Sequence, residues 1–534
     1  MASLVAFGRR WNGWGDASVC IDLPEDALAY LRERLGESTP PHDAPIDDVI
    51  AAVAPSRLPP AAAIDTTPLT RLQHARGQSL PDWLALRFGR IERVPDGVAF
   101  PESSDEVASL LEWAKCNGAR VIPYGGGTSV VGHINPPPDV AEPILTISLS
   151  RMRRLLDLDE ESGLATFEAG ATGPDLEAQL HVRGYTLRHF PQSFEYSTLG
   201  GWIATRSSGQ ESLGYGAIDD MLAGARVETP RGTLRIPTVP ASAAGIDLRE
   251  LILGSEGRVG IVTEATVRVR ALPEREAFVA WFLPSWEPAE ATVRALVDSA
   301  GAFTMIRLAN AQETSTALRF AGGGRARALL DAYLRFRGVR EERCLLLVGT
   351  SGSASDVHEA IAVARAIAGR NRGVYAGAPI GERWRDQRFR SVYLRNTLWE
   401  RGYAVDTAET SVDWPRVRTT MYAMENAARA CNEEPIHAYS HLSHVYRQGS
   451  SVYSTFVFRI APTFEANLRR WEALKRAISE AVVANGGTIS HQHGVGIDHK
   501  AYLAAEKGAL GLDAMRAVFR EFDPDGIMNP GKLV

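Results

Sequence analysis

A glycine-rich loop that follows directly on an apolar strand constrains this fold more than any other stretch. Residues 120–132 read RVIPYGGGTSVVG, so Val121 and Ile122 lead into consecutive glycines. Glycine has no Cβ and tolerates positive φ, which lets neighbouring backbone N–H groups face one point. Such a nest binds anions, and the hydroxyls of Thr128 and Ser129 add donors for phosphate oxygens. Taken alone, the stretch also fits a tight glycine turn, and it has neither the GxxxxGKS/T pattern of a Walker loop nor the GxGxxG pattern of a Rossmann fold.

Two later stretches repeat this combination of glycines and hydroxyl groups. Residues 191–209 read PQSFEYSTLGGWIATRSSG, followed shortly by Gly214-Tyr215-Gly216, and residues 253–265 read LGSEGRVGIVTEA on the way into a strand. In this order and spacing, the segments resemble the FAD-binding domain of the vanillyl-alcohol oxidase and p-cresol methylhydroxylase type. The resemblance implies that the first loop holds the FAD pyrophosphate and that the later segments line the isoalloxazine ring.

The same resemblance implies which residues bind the cofactor. They are Pro123, Tyr124, Gly125, Gly126, Gly127, Thr128, Ser129, Pro191, Ser193, Thr198, Gly200, Gly201, Thr205, Ser207, Ser208, Gly209, Tyr215, Gly216, Glu256, Gly257, Gly260, Ile261 and Val262. Family members with covalent flavin often use a histidine in the first loop, where this chain has Thr128, although His133 lies nearby. We therefore expect FAD to be bound non-covalently.

Composition and charge narrow the class of protein further. The chain has 534 residues, enough for about three to four domain-sized units, and its net charge of −6 argues against nucleic acid as the main partner. The cysteines Cys20, Cys116, Cys344 and Cys431 are scattered without metal-ligand spacing, which is typical of reduced thiols in a cytosolic protein. Residues 1–7 are too weakly apolar for a signal peptide, and no run reaches the about 18 apolar residues that a membrane span needs. We expect a cytoplasmic protein.

Strands and helices interleave along the chain, which predicts an α+β protein. We expect an N-terminal helical and irregular region over residues 1–91, with one helix over residues 71–86. A two-subdomain FAD-binding domain of the p-cresol methylhydroxylase type is expected over residues 92–272. An α/β substrate-binding cap with active-site segments follows over residues 273–500. Residues 501–534 are predicted to form a C-terminal helix and a tail that returns to the FAD-binding domain.

The whole chain, from Trp11-Asn12-Gly13-Trp14-Gly15 to the region after His493, resembles the alkylglycerone-phosphate synthase family. These FAD-dependent enzymes exchange the acyl group of acyl-dihydroxyacetone phosphate for a fatty alcohol through an adduct at flavin N5, without net redox change. The spacing of Tyr393-Leu394-Arg395 and residues 408–411 places the family's phosphate-binding arginine at Arg395. A guanidinium suits a phosphate dianion, although a surface salt bridge is the alternative. Arg307 matches a second family arginine near the flavin.

The resemblance also implies the catalytic residues. Tyr453 falls at the family's acid/base tyrosine, although mid-strand tyrosines are otherwise mostly core residues. We expect neighbouring arginine or histidine to lower its pKa toward neutrality. His491 and His493 are expected to orient the phenol or move a proton, and His189 to face the substrate. The family has three consecutive histidines here, whereas this chain has Gln492 in the middle, which cannot titrate.

Two alternatives stay open at this stage. One is an FAD-linked D-2-hydroxyacid dehydrogenase or oxidase of the D-lactate, glycolate or 2-hydroxyglutarate type, and the C-terminal run IMNPGK over residues 527–532 resembles that group more. Its two metal-binding histidines and one glutamate correspond here to His441, Gln448 and Gln492. Amides are poor ligands for a transition metal, so no metal is predicted. The altered histidine triplet also permits a flavoprotein scaffold that has lost activity.

The partners follow from the leading hypothesis. The substrate is expected to be a lipid-linked, phosphorylated small molecule, which implies peripheral association with the membrane surface. The family resemblance suggests a homodimer.

Overall fold

A computed structural model describes residues 8–534 of the chain. Residues 1–7, on which the expectation of no signal peptide depends, lie outside the described part. Within residues 8–534, we find no helix whose length and apolar character would let it cross a bilayer.

The N-terminal region is mainly helical. Its elements are α1 (Glu25–Leu35), α2 (Ile46–Ala51), β1 (Ile64–Asp65), α3 (Pro68–Gln73) and α4 (Leu80–Arg87). The prediction of one helix over residues 71–86 is wrong, because α3 and α4 are separated by a bend. A Cβ on Gly77 in that bend would lie 2.4 Å from the backbone oxygen of Ser129, so the chain must leave the helix to pass the first glycine loop. Ser79 then caps α4 in a reciprocal capping box with Asp82.

A four-stranded sheet carries the first glycine loop. Its further elements are β2 (Gly97–Ala99), α5 (Ser104–Cys116), β3 (Arg120–Tyr124) and β4 (Ile144–Ser148). The strand order is β1-β2-β4-β3, with β2 and β3 parallel to β4. Val121, Ile122 and Ile144 are fully buried, as expected of parallel strands that are covered on both faces. The loop begins where β3 ends, at the carboxyl edge where α/β sheets bind ligands.

A five-stranded antiparallel sheet follows. The elements of this part are β5 (Leu155–Asp159), β6 (Leu164–Glu168), α6 (Gly173–His181), β7 (Tyr185–Thr186), α7 (Leu199–Thr205), α8 (Ser212–Tyr215), α9 (Ile218–Met221), β8 (Leu222–Thr229), β9 (Gly232–Ile236), α10 (Arg249–Ile252), β10 (Ile261–Arg268) and β11 (Arg270–Ala271). The sheet order is β5-β6-β10-β8-β9, and β7 pairs with β11. Thr198 caps α7 by accepting a hydrogen bond from the Gly201 N–H.

A seven-stranded antiparallel sheet forms the third layer. The elements are β12 (Arg275–Leu283), α11 (Trp286–Val297), β13 (Phe303–Ala309), α12 (Ala311–Phe320), α13 (Gly324–Phe336), β14 (Cys344–Gly352), α14 (Ala354–Arg370), β15 (Val374–Gly377), α15 (Ala378–Gln387), α16 (Leu394–Glu400), β16 (Tyr403–Asp413), α17 (Trp414–Ala430), β17 (His437–Leu442), β18 (Gly449–Arg459) and α18 (Phe464–Ala484). The strand order is β15-β12-β14-β13-β17-β18-β16. The long β16–β18 ladder places Glu409 directly opposite Tyr453.

The C-terminal segment returns to the first sheet. Helix α19 (Leu503–Phe522) is broken at Gly508, whose φ is 65°. Beyond it, Met528 bridges to Val121 of β3 in parallel orientation. The tail therefore lies beside the strand that leads into the first glycine loop. The domain boundaries given above stay a prediction.

Candidate active site

A cavity of about 570 Å³ lies between the glycine loops and the seven-stranded sheet. On one side its wall is built by the loop after β3, by α7 and by residues 255–262. On the other side it is built by side chains of β13, β16, β17 and β18. This volume lies within the range of about 300–1,000 Å³ that is usual for small-molecule and cofactor sites.

The first loop requires glycine at each of its central positions. A Cβ on Gly126 would lie 1.7 Å from the Tyr196 backbone oxygen, and one on Gly125 would lie 2.4 Å from Thr198 Oγ1. Gly127 adopts φ 67°, which side chains rarely adopt. The loop is therefore packed tightly on residues 196–198, and only backbone and small hydroxyl groups face the cavity.

Most of the cofactor-binding residues expected from the sequence line this cavity. The exceptions are Gly209, Tyr215 and Gly216, which lie off its wall. Gly209 accepts a hydrogen bond from His444 Nε2 at 3.1 Å through its backbone oxygen. The Tyr215 hydroxyl lies 2.6 Å from Ser351 Oγ, at the contact with the seven-stranded sheet. Gly209 and Tyr215 thus bond to His444 and Ser351, and the assignment of Gly209, Tyr215 and Gly216 to the cofactor stays a prediction.

The cavity wall also exposes polar atoms that the protein leaves without partners. Within residues 8–534, Ser208 Oγ, Gln210 Oε1 and Asn529 Oδ1 are buried and make no hydrogen bond, and all three residues line the cavity. Buried polar groups are normally paired, so these atoms indicate a polar ligand. A glycine nest for a pyrophosphate, hydroxyl donors and unpaired acceptors together fit FAD.

A buried network joins the first loop to the segment after His493. Ser129 Oγ lies 2.9 Å from His133 Nδ1, and His133 Nε2 lies 3.1 Å from Glu256 Oε1. The Glu256 carboxylate accepts hydrogen bonds from the Val495 N–H at 2.6 Å and the Gly496 N–H at 2.9 Å. The Glu256 carboxylate is therefore bound by donors of the protein, although the residue also lines the cavity.

Arg307 belongs to a buried ionic cluster on the other wall. Its Nη2 donates to Glu313 Oε1 at 2.7 Å, and His441 Nδ1 lies 2.8 Å from Glu313 Oε2. Burial opposes ionisation of Glu313, but the neighbouring His441 and Arg307 lower its pKa to about 2. Within the described residues, no group of three or more histidine, cysteine or acidic side chains could hold a metal ion.

Arg395 presents its guanidinium to the cavity. Its Nη1 donates to the Gln78 backbone oxygen at 2.8 Å, and its guanidinium stacks over the Trp83 ring at 4.4 Å. Its hydrogen-bond acceptors are the backbone oxygens of Gln78 and Val405, whereas Asp406 and Asp82 act on it as nearby charges that favour its charged form. Burial lowers the pKa of Arg395, but an arginine stays charged at any relevant pH. The site therefore holds a cation that suits an anionic ligand.

Tyr453 lines the cavity beside His441 and His493. Its ring stacks on the His441 imidazole at 5.0 Å and meets the His493 ring edge-on at 5.7 Å. Burial raises the pKa of Tyr453 to about 12, which outweighs the opposing influence of Arg395 and Arg307. The expectation of a lowered pKa is wrong, because the phenol is desolvated more strongly than its cationic neighbours can offset. It is a protonated phenol at neutral pH.

Glu409, which the sequence did not single out as a functional residue, holds the histidine segment in place. Its carboxylate accepts hydrogen bonds from Ser490 Oγ at 2.8 Å and from the N–H groups of His491, Gln492 and His493 at 2.7, 3.0 and 3.0 Å. Burial opposes ionisation, but His493, His491 and the backbone donors lower the pKa of Glu409 to about 2. A charged residue in the middle of a buried strand is the signal that could have revealed it.

The three predicted catalytic histidines do not converge on one point. His493 lines the cavity beside Tyr453. His491 lies off the cavity wall, and its Nε2 is 2.6 Å from the Tyr446 hydroxyl. His189 is also off the wall, with its Nε2 3.2 Å from Ser207 Oγ and its ring against Trp202, and burial lowers its pKa to about 3. Ser207 and Trp202, which His189 contacts, do line the cavity, and the expectation that His189 faces the substrate stays a prediction.

Two family models match the chain. The model described as FAD binding domain matches residues 95–236, and the one described as FAD linked oxidases, C-terminal domain, matches residues 272–533. Together with the cavity, these matches define a two-domain, FAD-dependent flavoenzyme, which confirms the α+β fold class and the cofactor.

Known relatives identify the family more closely. An alkyldihydroxyacetonephosphate synthase of Dictyostelium discoideum is 32% identical over 87% of this chain and 77% of its own length. One of Trypanosoma brucei brucei is 30% identical over 98% of this chain and 92% of its own length. A solved structure of such a synthase superposes with a TM-score of 0.84 at 27% identity and covers 98% of both chains. The chain belongs to the alkyldihydroxyacetonephosphate synthase family, and the hydroxyacid dehydrogenase alternative is not favoured.

Proposed function

We propose that this protein exchanges the acyl group of acyl-dihydroxyacetone phosphate for a fatty alcohol and so forms an ether bond without net redox change. The observation that carries the proposal is the buried Arg395 cation, which lines the same cavity as Tyr453 and the FAD loops. Apolar side chains of Phe320, Leu398 and Val405 line the cavity as well, and they suit an aliphatic chain. The cavity therefore offers a cation for the phosphate, apolar side chains for the aliphatic chain and the glycine loops for FAD.

The position of each residue in the cavity indicates its role in the reaction. Arg395 binds the substrate phosphate with a forked, charge-assisted contact. Bound FAD supplies an electrophilic centre for a carbon of the substrate. Tyr453 starts as a protonated phenol, so it donates a hydrogen bond to a substrate oxygen and moves a proton during the exchange. His493, edge-on to the Tyr453 ring, orients that phenol.

The function is tested with the holoprotein under anaerobic conditions. Acyl-dihydroxyacetone phosphate and an isotopically labelled fatty alcohol are mixed with the protein without an electron acceptor, and lipids are analysed by mass spectrometry. Labelled ether lipid supports the proposal and shows that Gln492 is compatible with it. Absence of ether lipid, with flavin bleaching by D-lactate, glycolate or D-2-hydroxyglutarate, would instead establish a dehydrogenase. No product and no bleaching would contradict both activities.

Replacing Arg395 by alanine is expected to raise the substrate KM by about 10- to 100-fold, because a hydrogen bond to a charged group contributes about 1.5–3 kcal/mol. FAD should stay bound, since Arg395 contacts Gln78 and Trp83 rather than the glycine loop. Steady-state kinetics and the flavin absorbance of the purified variant measure both effects.

Arg87→Ala is the matched control for that substitution. Arg87 also lies over the Trp83 ring, at 4.9 Å, but it pairs with Asp43 and does not line the cavity. Its loss should lower stability and leave the KM unchanged. An unchanged KM in Arg395→Ala, or equal changes in both variants, would remove Arg395 from the substrate site.

We further propose that α13 brings the protein to a membrane surface. Leu329, Tyr333 and Phe336 are 73%, 45% and 87% exposed on this helix, at spacings that place them on one face. Arg325 and Arg335 of the same helix are exposed as well, which suits anionic headgroups. Helix α12, which directly precedes α13, ends at the cavity-lining Phe320. In this proposal, a lipid substrate enters the cavity from the membrane side.

Co-sedimentation with anionic phospholipid vesicles tests this surface. The double variant Leu329→Glu, Phe336→Glu is expected to lose most of its vesicle binding, because two large apolar side chains no longer enter the lipid. Leu510→Glu is the control, since Leu510 is 83% exposed on α19. Equal binding of all variants would rule out α13 as the contact.

We also propose a homodimer, which light scattering on the purified protein would show as twice the mass of one chain.

A further inference from the structure

The C-terminal tail is built into the cavity wall. Asp523 accepts hydrogen bonds from the N–H groups of Ile527 at 2.9 Å and Met528 at 2.8 Å. Val121 of β3 donates its N–H to the Ile527 oxygen at 2.8 Å and accepts at 2.8 Å from the Asn529 N–H. The tail therefore continues the sheet at the strand that leads into the glycine loop, and its position is fixed by backbone bonds.

The orientation of the Asn529 side chain is determined by two carbonyl groups. Asn529 is 2% exposed, and its Nδ2 donates to the Glu256 backbone oxygen at 2.7 Å and to the His133 backbone oxygen at 3.1 Å. Only the amide nitrogen can satisfy two acceptors, which leaves Oδ1 on the other side. Within residues 8–534, this oxygen is buried without any hydrogen-bond partner, and Asn529 lines the cavity.

The backbone at this position is also held in an unusual conformation. Asn529 has φ 36°, in a region that non-glycine residues seldom adopt and that asparagine tolerates best. Arg258 Nη1 donates to the backbone oxygens of Met528 at 2.7 Å and Asn529 at 3.1 Å. A strained residue that is fixed by several contacts points to a functional role.

We infer that Asn529 is an FAD ligand supplied by the C-terminal tail, with Oδ1 accepting a hydrogen bond from a hydroxyl or amino group of the bound cofactor. FAD carries such donors on its ribityl chain, its ribose and its adenine. Asn529 contacts His133 and Glu256, which are neighbours of Ser129 and Gly257 on the cofactor side of the cavity. The tail thus completes a binding site whose other segments lie between residues 123 and 262.

The experiment measures the dissociation constant of FAD by titrating the apoprotein and following flavin fluorescence. Asn529→Ala is expected to raise this constant about tenfold, because the cofactor donor and its acceptor no longer pair. The thermal stabilisation that FAD confers on the apoprotein should shrink in parallel. The same FAD titration is made with Asn529→Gly, because glycine tolerates the φ of 36° at this position. The FAD affinity can then be measured even if the alanine variant does not fold.

Asn467→Ala is the matched control. Asn467 is also 2% exposed, and its Nδ2 donates to the backbone oxygens of Ala461 and Thr463, both at 2.8 Å. Its Oδ1, however, already accepts from the Ala461 N–H at 2.8 Å, and it does not line the cavity. This control should lose stability without a change in FAD affinity. An unchanged FAD dissociation constant in both Asn529 variants, or an equal rise in Asn467→Ala, would overturn the inference.

Discussion

Tyr453→Phe is expected to lower kcat by about 10²- to 10⁴-fold, the range that a positioned acid/base group contributes. The ring would keep its stacking on His441 and its edge-on contact with His493, because only the hydroxyl is removed. FAD affinity should be unchanged, since the phenol lies on the wall of the seven-stranded sheet. Anaerobic ether-lipid formation and an FAD titration on the same preparation measure the two quantities.

Tyr403→Phe is the control for this substitution. Tyr403 lies on β16 of the same sheet, is 1% exposed, and donates its hydroxyl to the Gly36 backbone oxygen at 3.1 Å. Its variant should lose some stability and keep kcat. Full activity of Tyr453→Phe would show that another group moves the proton. Because burial raises the pKa of Tyr453 to about 12, kcat should not depend on its ionisation between pH 6 and about 9.

The elements that the sequence predicts well are those whose local chemistry decides them. The first glycine loop is one such case, because only glycine fits against Tyr196 and Thr198. The single helix expected over residues 71–86 is broken instead by the approach of Gly77 to Ser129, a tertiary contact between distant segments. Local pattern carries no information about such a contact.

The candidate site shows the same division. Arg395, Arg307, Tyr453 and His493 all line the cavity, and their assignment depends on a family resemblance rather than on periodicity. The direction of the Tyr453 pKa was predicted wrongly because depth of burial cannot be read from neighbours in sequence. Glu409 and Asn529 were not predicted as site residues, since their roles arise from strand register and from the return of the tail.

Glu409→Gln is expected to lower both activity and stability. One carboxylate accepts the bonds from Ser490 and from three successive backbone N–H groups, whereas an amide offers a single oxygen and turns its NH₂ toward another donor. His493 and Gln492 would then shift relative to Tyr453. A displacement of about 1 Å in such a site costs about 10²-fold in rate, so we expect kcat to fall by that order while FAD stays bound.

The pH dependence of the free energy of unfolding distinguishes the contribution of the Glu409 charge from that of its side-chain shape. The pKa of this carboxyl is about 2 in the folded protein, against about 4.3 when unfolded. A depressed pKa stabilises the folded state at pH values above the unfolded pKa, and this contribution disappears as the pH falls from about 5 to 2. The wild type should therefore be more stable than Glu409→Gln at pH 7, and the difference should shrink toward pH 3 in urea unfolding.

Glu228→Gln provides the comparison that decides the role of Glu409. The side chains of Glu228 and Glu409 are both 1% exposed, but Glu228 pairs with Arg226 on the five-stranded sheet and does not line the cavity. It should lose stability without losing kcat. If both variants lost kcat equally, Glu409 would be a structural residue only. If Glu409→Gln alone loses kcat, the buried carboxylate acts on the reaction through the backbone of residues 491–493. Because the carboxylate binds backbone N–H groups, Gln492 can replace a histidine there while His493 stays in position beside the phenol.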